Sequence, residues 1–164
     1  MQRRQFLGLT LSAAGALVLS GCGFHLRGLE EGGILTLEQL AVAGNEGPFA
    51  DMLVQRLEDY GVQVRDDAPL RLNLSAENAS YRQLSTLDSG TQDGQLVLNV
   101  PYSIQRTSDN AYLQDRQSVE VVEDYSLASD NLLSQDDVRE DALENARREA
   151  VRQMIERLRS LQGS

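Results

Sequence analysis

The sequence predicts an α+β domain of order βαβββα, with a four-stranded mixed sheet and two helices packed on one of its faces. Three patterns carry this expectation. Two segments repeat apolar residues at helical spacing, and three alternate apolar and polar residues with a period of two. A Gly- and Pro-containing break separates the first strand candidate from the first helix.

The first strand is expected over 34–42, where Ile34, Leu35, Leu37, Leu40 and Val42 are apolar. Gly44, Gly47 and Pro48 then interrupt the chain, and Pro48 suits the first turn of a helix. Phe49, Met52, Leu53, Leu57 and Tyr60 fall on one face of that helix, and Gly61 is placed to end it in a left-handed conformation. Leu70, Leu72, Leu74 and Ala76 alternate with polar residues as a second strand. Ser, Thr, Asp and Gly dominate 84–95, which reads as a loop. Leu96, Leu98, Val100, Tyr102 and Ile104 form the third strand's apolar face. Pro101 inside it cannot donate to a ladder, so a bulge or an unpaired edge is expected there. After a turn at 108–110, Leu113, Val119, Val121 and Tyr125 give a fourth strand. A long helix over 135–161 closes the chain. Its stripe comprises Val138, Ala142, Leu143, Ala146, Ala150, Met154, Leu158 and Leu161, with acids early and arginines late.

Apolar stripes on both helices and one apolar face per strand make helices on one sheet face the economical packing. The opposite face would carry Arg71, Asn73, Ser75, Asn99, Ser103, Gln105, Gln114, Arg116, Ser118 and Glu120. Such a polar face suits water, and equally the polar interior of a large β-barrel. If the first helix is a crossover, strands one and two are parallel and the rest antiparallel. The 84–95 loop and the 127–134 connection then share one end of the sheet. The N-terminal tether, 61–69, the 108–110 turn and the C-terminus share the other.

Residues 1–21 have a different composition. Arg3 and Arg4 precede the 14-residue run Phe6 to Leu19 of apolar and small residues, and Leu19-Ser20-Gly21-Cys22 follows. A charged start, an apolar middle and a small-residue cleavage site make a secretory signal peptide. The run is too short to cross a bilayer, which takes about 20 apolar residues. Its end resembles a bacterial lipobox, which places cleavage between Gly21 and Cys22 and lipid attachment on Cys22. Arg3-Arg4-Gln5-Phe6-Leu7 also resembles a twin-arginine signal, so export by that route or by Sec stays open. Cys22 is the only cysteine, which excludes an internal disulfide framework. Acyl chains such as palmitate, three in bacterial lipoproteins, exceed the two signals that stable anchoring needs. Residues 22–33, rich in Gly, read as a tether, and 34–164 as one folded domain.

Removing 21 of the 164 residues leaves 143, enough for a single core. Losing Arg3 and Arg4 takes the net charge from −10 to −12, which argues against nucleic acid as a partner. All 15 basic residues are arginine, able to grip phosphate or carboxylate with two parallel bonds. No catalytic constellation emerges. His25, the sole histidine, lies in the tether, and no P-loop, dinucleotide or nucleophile-elbow pattern occurs. Asp136, Asp137, Glu140 and Asp141 read as helix-start acids rather than a metal site. No cofactor, metal or enzymatic activity is expected.

Cys22-Gly23-Phe24-His25-Leu26-Arg27-Gly28 resembles the mature N-terminus of the LPS-assembly lipoprotein family, LptE, formerly rare lipoprotein B. Gly47-Pro48-Phe49 and Leu70-Arg71-Leu72 add to the resemblance. It implies a non-enzymatic lipoprotein of the Gram-negative outer membrane, held on the periplasmic side by its acyl anchor. Its partner would be an LptD-type β-barrel, which it plugs and helps to assemble, and the pair would insert lipopolysaccharide into the outer leaflet. Gly23 directly after the cysteine fits outer-membrane sorting. Family members carry basic residues near the loop after strand two and before the last helix. Here the first region offers Arg82, a candidate lipopolysaccharide contact, whereas 126–134 has no basic residue. Phe24 and Leu26 would dock on the barrel or its lipid, or the segment serves only as a spacer. The alternative function is a periplasm-facing lipoprotein that binds a lipid or small ligand in its own pocket.

Overall fold

The computed structural model describes residues 37–86, 91–128 and 132–161. The expected signal peptide 1–21, the expected cleavage pair Gly21 and Cys22, and the expected tether with its motif Gly23, Phe24, His25, Leu26 and Arg27 lie outside the described residues. So do Ile34 and Leu35 of the first strand candidate. The chain runs β1 (Gln39–Gly44), α1 (Pro48–Asp59), β2 (Gln63–Val64), β3 (Leu70–Leu74), β4 (Asn78–Thr86), β5 (Thr91–Arg106), β6 (Tyr112–Ala128) and α2 (Leu132–Ser160). The α+β class and mixed sheet are as expected, but six strands stand where four were expected.

Helix α1 opens on Pro48 and buries Phe49, Leu53 and Leu57, while Gly61 beyond its end takes a φ of 82°. That angle is cheap only without a Cβ, which is why the chain can turn back there. The helix is the crossover between β1 and its neighbours: β1 pairs parallel with both β2 and β3. Helix α2 starts three residues earlier than its apolar stripe suggests. Asp136, Asp137, Glu140 and Asp141 therefore lie beyond its first turn, which holds no acid, and Asp136 pairs with Arg139 at 3.7 Å. Arg157 and Arg159 occupy its last turn, where the dipole favours cations.

Both helices lie on one sheet face. Leu53 and Leu57 of α1 and Ala146, Ala150, Met154 and Leu158 of α2 share a core with Leu72, Leu98, Val100, Ile104 and Val119 of the strands. No buried polar or charged residue occurs among the described residues.

Two strands escaped the sequence patterns. β2 is only two residues long. β4, with the first residues of β5, replaces most of the 84–95 loop: Arg82 faces Gln95 and Gln83 faces Gly94. Its polar composition is tolerated because pairing, not apolar alternation, holds it, with β4 on one edge of β5 and β6 along the other. At Gly94 the Tyr125 ring lies where a side chain would be, 2.4 Å from an ideal Cβ. The aromatic ring supplies the burial that glycine cannot.

Pro101 falls opposite a bulge. β3 and β4 follow one another along the same edge of β5, with Leu74 opposite Tyr102 but Asn78 opposite Asn99. One extra residue is thus accommodated over 75–77, next to the position where proline has no N–H to offer. The Ser75 amide still donates to the Pro101 carbonyl, 2.9 Å away.

A second bulge corrects the fourth strand. Register shifts between Tyr102 and Ile104, and Arg116 takes a left-handed φ of 51°. Gln114, expected on the polar face, therefore lies on the inner side and accepts a 3.1 Å bond from the Tyr102 hydroxyl. Leu113, expected inside, is 41% exposed. Thr91 faces Ala128 and Leu70 faces Arg106, so the β4–β5 and β6–α2 connections share one end of the sheet. The 65–69 segment and the 107–111 turn share the other, as the topology argument expected.

Candidate functional site

The face of the sheet turned away from the helices is where polar residues gather. Paired residues of an antiparallel ladder share a face, so the registers define its rows. At the β4–β5 connection end lies the row Arg82, Gln95, Asp124; next come Ser80, Val97, Val122, and then Asn78, Asn99, Glu120. On β3, Arg71 faces Gln105 and Asn73 faces Ser103.

Several groups of this face are satisfied sideways across the strands. The Gln95 amide donates to Asp124 at 2.9 Å, the Ser126 hydroxyl to Asp93 at 2.8 Å, and the Asn73 amide to Ser103 at 3.3 Å. Such a surface is hydrogen-bonded within itself yet keeps lone pairs and N–H groups for a second polar surface or for water. Val122, 50% exposed, interrupts it with an apolar spot.

Two arginines on this face, Arg71 and Arg82, have no ion-pair or hydrogen-bond partner among the described residues. The other described arginines have partners. Arg65 forks onto Asp67, which raises the guanidinium above its ordinary value and lowers the Asp67 carboxyl through the same bonds. Arg147 of α2 meets Glu77 at the β3–β4 bulge, both side chains being under 20% exposed. Its bonds to Glu77 hold the Arg147 guanidinium above its ordinary value. Arg82 is exposed on β4 opposite Gln95, and Arg71 is half-buried opposite Gln105. Ten residues of β5 separate the two positions, about 33 Å at 3.3 Å per residue, so no single phosphate reaches both. On the outer face at its end of the sheet, Arg82 is therefore the one uncommitted arginine among the described residues.

The neighbours of Arg82 in sequence do not join it. Tyr81 points to the inner side and meets Tyr125 edge-on, with ring centroids 6.2 Å apart. Cys22, the expected attachment site, and the Gly23–Arg27 motif lie outside the described residues. Among the described residues no three His, Cys, Asp or Glu side chains gather as a metal site, and no helix is long and apolar enough to cross a membrane. Sequence reasoning missed Arg71 as a second unpaired cation. Its signal was present in the alternation of β3, which sets Arg71 on the face opposite Leu72.

A family model described as LptE, lipopolysaccharide-assembly, matches residues 35–158. No curated protein sequence matches the chain. Among solved structures, the chain is similar to lipoprotein B from Nitrosomonas europaea, with a TM-score of 0.67 at 17% identity, over 87% of this chain and 94% of that one. A minor lipoprotein from Acinetobacter baumannii aligns with a TM-score of 0.63 at 12% identity, over 76% of this chain and 92% of the other. Rare lipoprotein B from Shewanella oneidensis gives 0.51 at 14% identity, over 76% and 93%. At these identities the structural likeness speaks for the fold.

Proposed function

The chain belongs to the LptE lipopolysaccharide-assembly family, and from that premise we propose that it is an outer-membrane lipoprotein seated in the barrel of an LptD-type partner. Cys22 carries the acyl anchor on the periplasmic side, and Gly23 to Arg27 bridge the anchor and the domain. The protein assists assembly of the barrel and insertion of lipopolysaccharide into the outer leaflet, without chemistry of its own.

One observation carries this reading: the division of the sheet into a filled inner face and a polar outer face. The inner face is packed with Leu53, Leu72, Leu98, Ile104 and Met154, each under 2% exposed. That packing supports the barrel reading over a lipid pocket between sheet and helices. The outer face, with its Asn, Ser and Gln rows, matches the polar lining of a large barrel. Arg82 is the residue proposed to meet a lipopolysaccharide phosphate, because its guanidinium is exposed and uncommitted among the described residues.

A C-terminally tagged chain, solubilised from membranes in mild detergent, should co-elute with a barrel protein of much larger mass, identifiable by mass spectrometry. Cys22→Ala should deplete both the chain and the barrel from the outer membrane. Elution without any barrel partner sinks the proposal. For the lipid contact, Arg82→Asp should weaken binding to lipopolysaccharide about tenfold, a loss of about 1.4 kcal/mol. Equal affinity of the two proteins would remove Arg82 from the site.

A further inference from the structure

Strand β6 pairs only with β5 among the described strands, which leaves one of its edges open. Which backbone groups face that edge follows from alternation along β5. The Pro101 carbonyl accepts from Ser75, so odd-numbered residues of β5 direct their backbone groups to β3 and β4. Even-numbered residues then face β6, where their partners are Val119, Val121, Glu123, Tyr125 and Leu127. The N–H and C=O groups of Ser118, Glu120, Val122, Asp124 and Ser126 consequently point away from the sheet. An independent contact agrees: the Ser118 carbonyl accepts a 2.6 Å bond from Arg157 of α2.

Proteins usually blunt such an edge with a bulge, a covering group or charge. Here the bulge at Arg116 and the Arg157 guanidinium guard the Ser118 end. From Glu120 to Ser126 no described group bonds the outward amides or carbonyls. A shallow groove runs between this stretch and α2, lined by Glu120, Val122, Glu123, Asn145, Arg148 and Arg152. Its arginines are committed, Arg148 to Glu144 and Asn145, and Arg152 to Glu149. Glu120 and Glu123 have no cation partner among the described residues, and Asp124 has only the neutral Gln95. The edge therefore offers strand-bonding groups in an acidic setting. Two copies of β6 joined antiparallel about Val122 would set Glu120 against Asp124 twice, and like charges directly opposite are unfavourable.

We propose that the β6 edge from Glu120 to Ser126 docks an extended strand of a partner protein that carries a cation, an apolar residue and a cation at alternate positions. Backbone bonds to the outward groups supply the affinity. The cations face Glu120 and Asp124, and the apolar side chain covers Val122. The inference stands apart from the barrel reading, since it rests on edge geometry and local charge.

The test uses the full chain with the capped peptide Ser-Arg-Ser-Val-Ser-Arg-Ser, which sets Arg, Val and Arg on one face, against the same peptide with Glu for Arg. The basic peptide should bind saturably by fluorescence anisotropy and slow amide exchange at Glu120, Val122, Asp124 and Ser126 at least tenfold. The acidic peptide should do neither. Val122→Pro removes an outward N–H and no bond to β5, so it should weaken binding at least tenfold, whereas Val122→Thr should preserve it. Glu120→Arg combined with Asp124→Arg leaves the backbone intact and should abolish preference for the basic peptide. Equal binding of both peptides, or unchanged exchange at the four outward amides, overturns the proposal. So does a concentration-dependent dimer that Val122→Pro dissolves, which would give the edge to a second copy.

Discussion

Leu98 and Val97 are neighbours on β5, yet they belong to different parts of the molecule. Leu98 is fully buried between Ala79 and Val121, beneath the helices. Val97 sits between Ser80 and Val122 on the open face, half-buried. The same contrast repeats along β3, where Leu72 is buried and Arg71 carries an uncommitted guanidinium. Alternation lets one strand hold the fold together with every second residue and leave the others to present a surface. Changes on the inner face should therefore be read in stability, and changes on the outer face in binding.

The largest expected effect breaks the inner face. Leu98→Ala should cost about 2–5 kcal/mol, as removal of a fully buried leucine leaves a cavity. Val97→Ala should cost no more than about 1 kcal/mol, within the range of surface changes. Urea denaturation of both variants measures the contrast, and similar losses would show that the outer face is as much a core as the inner one.

Next in size is the pair that ties the β3–β4 bulge to α2. Arg147→Met leaves the Glu77 carboxylate, 19% exposed, without its cation. The expected loss is about 1–3 kcal/mol, the cost of a group left unsatisfied away from water. Adding Glu77→Gln should recover part of it, because the second change removes the stranded charge. No recovery would mean that Arg147 acts through its stem and not its charge.

How much of this was legible in the sequence also divides along the sheet. The crossover end follows from residues that state their own roles. Pro48 opens α1, Gly61 ends it, and Leu70, Leu72 and Leu74 alternate cleanly. The end bearing Arg82 was not legible, because nothing between Leu84 and Gly94 alternates in polarity. Its strands exist through pairing across the sheet and through Tyr125 lying over Gly94, contacts that only the folded chain supplies. Gln114 and Leu113 were misplaced for a related reason. A bulge inserts one residue and exchanges the faces beyond it, and Arg116 carries no residue-type signal for a left-handed φ. For the candidate site, the sequence offered Arg82, whereas its separation from Tyr81 and from Arg71 required the registers.

A third change tests whether α2 guards the sheet edge. Arg157 bonds the Ser118 carbonyl and also donates to the Tyr102 hydroxyl at 3.2 Å, which in turn bonds Gln114. Arg157→Met should cost about 1 kcal/mol, the net worth of a typical hydrogen bond. Amide exchange at Val119, which pairs with Val100 across the sheet, should quicken, while Leu98 inside the same sheet stays protected. Equal acceleration at both would mean that Arg157 supports the inner face and not only the edge.

The smallest effect lies in the 107–111 turn, which belongs to neither face. Asp109 accepts from the Ala111 amide at 3.1 Å and from Arg106 at 3.0 Å, and these bonds hold its carboxyl below the usual aspartate range. A carboxyl depressed on folding stabilises the folded state above its unfolded value. That contribution fades as pH falls through the depressed value and protonates the folded carboxyl. The turn is exposed, so its loosening should be local. In an acid titration the Ala111 amide resonance should shift at a pH below the ordinary aspartate midpoint, and Asp109→Asn should abolish that shift. Throughout the same range the Leu98 amide should keep its protection, because no carboxylate is buried among the described residues. Simultaneous loss at Ala111 and Leu98 would show that turn and core open as one unit, and the separation of inner face from surface would fail at its weakest point.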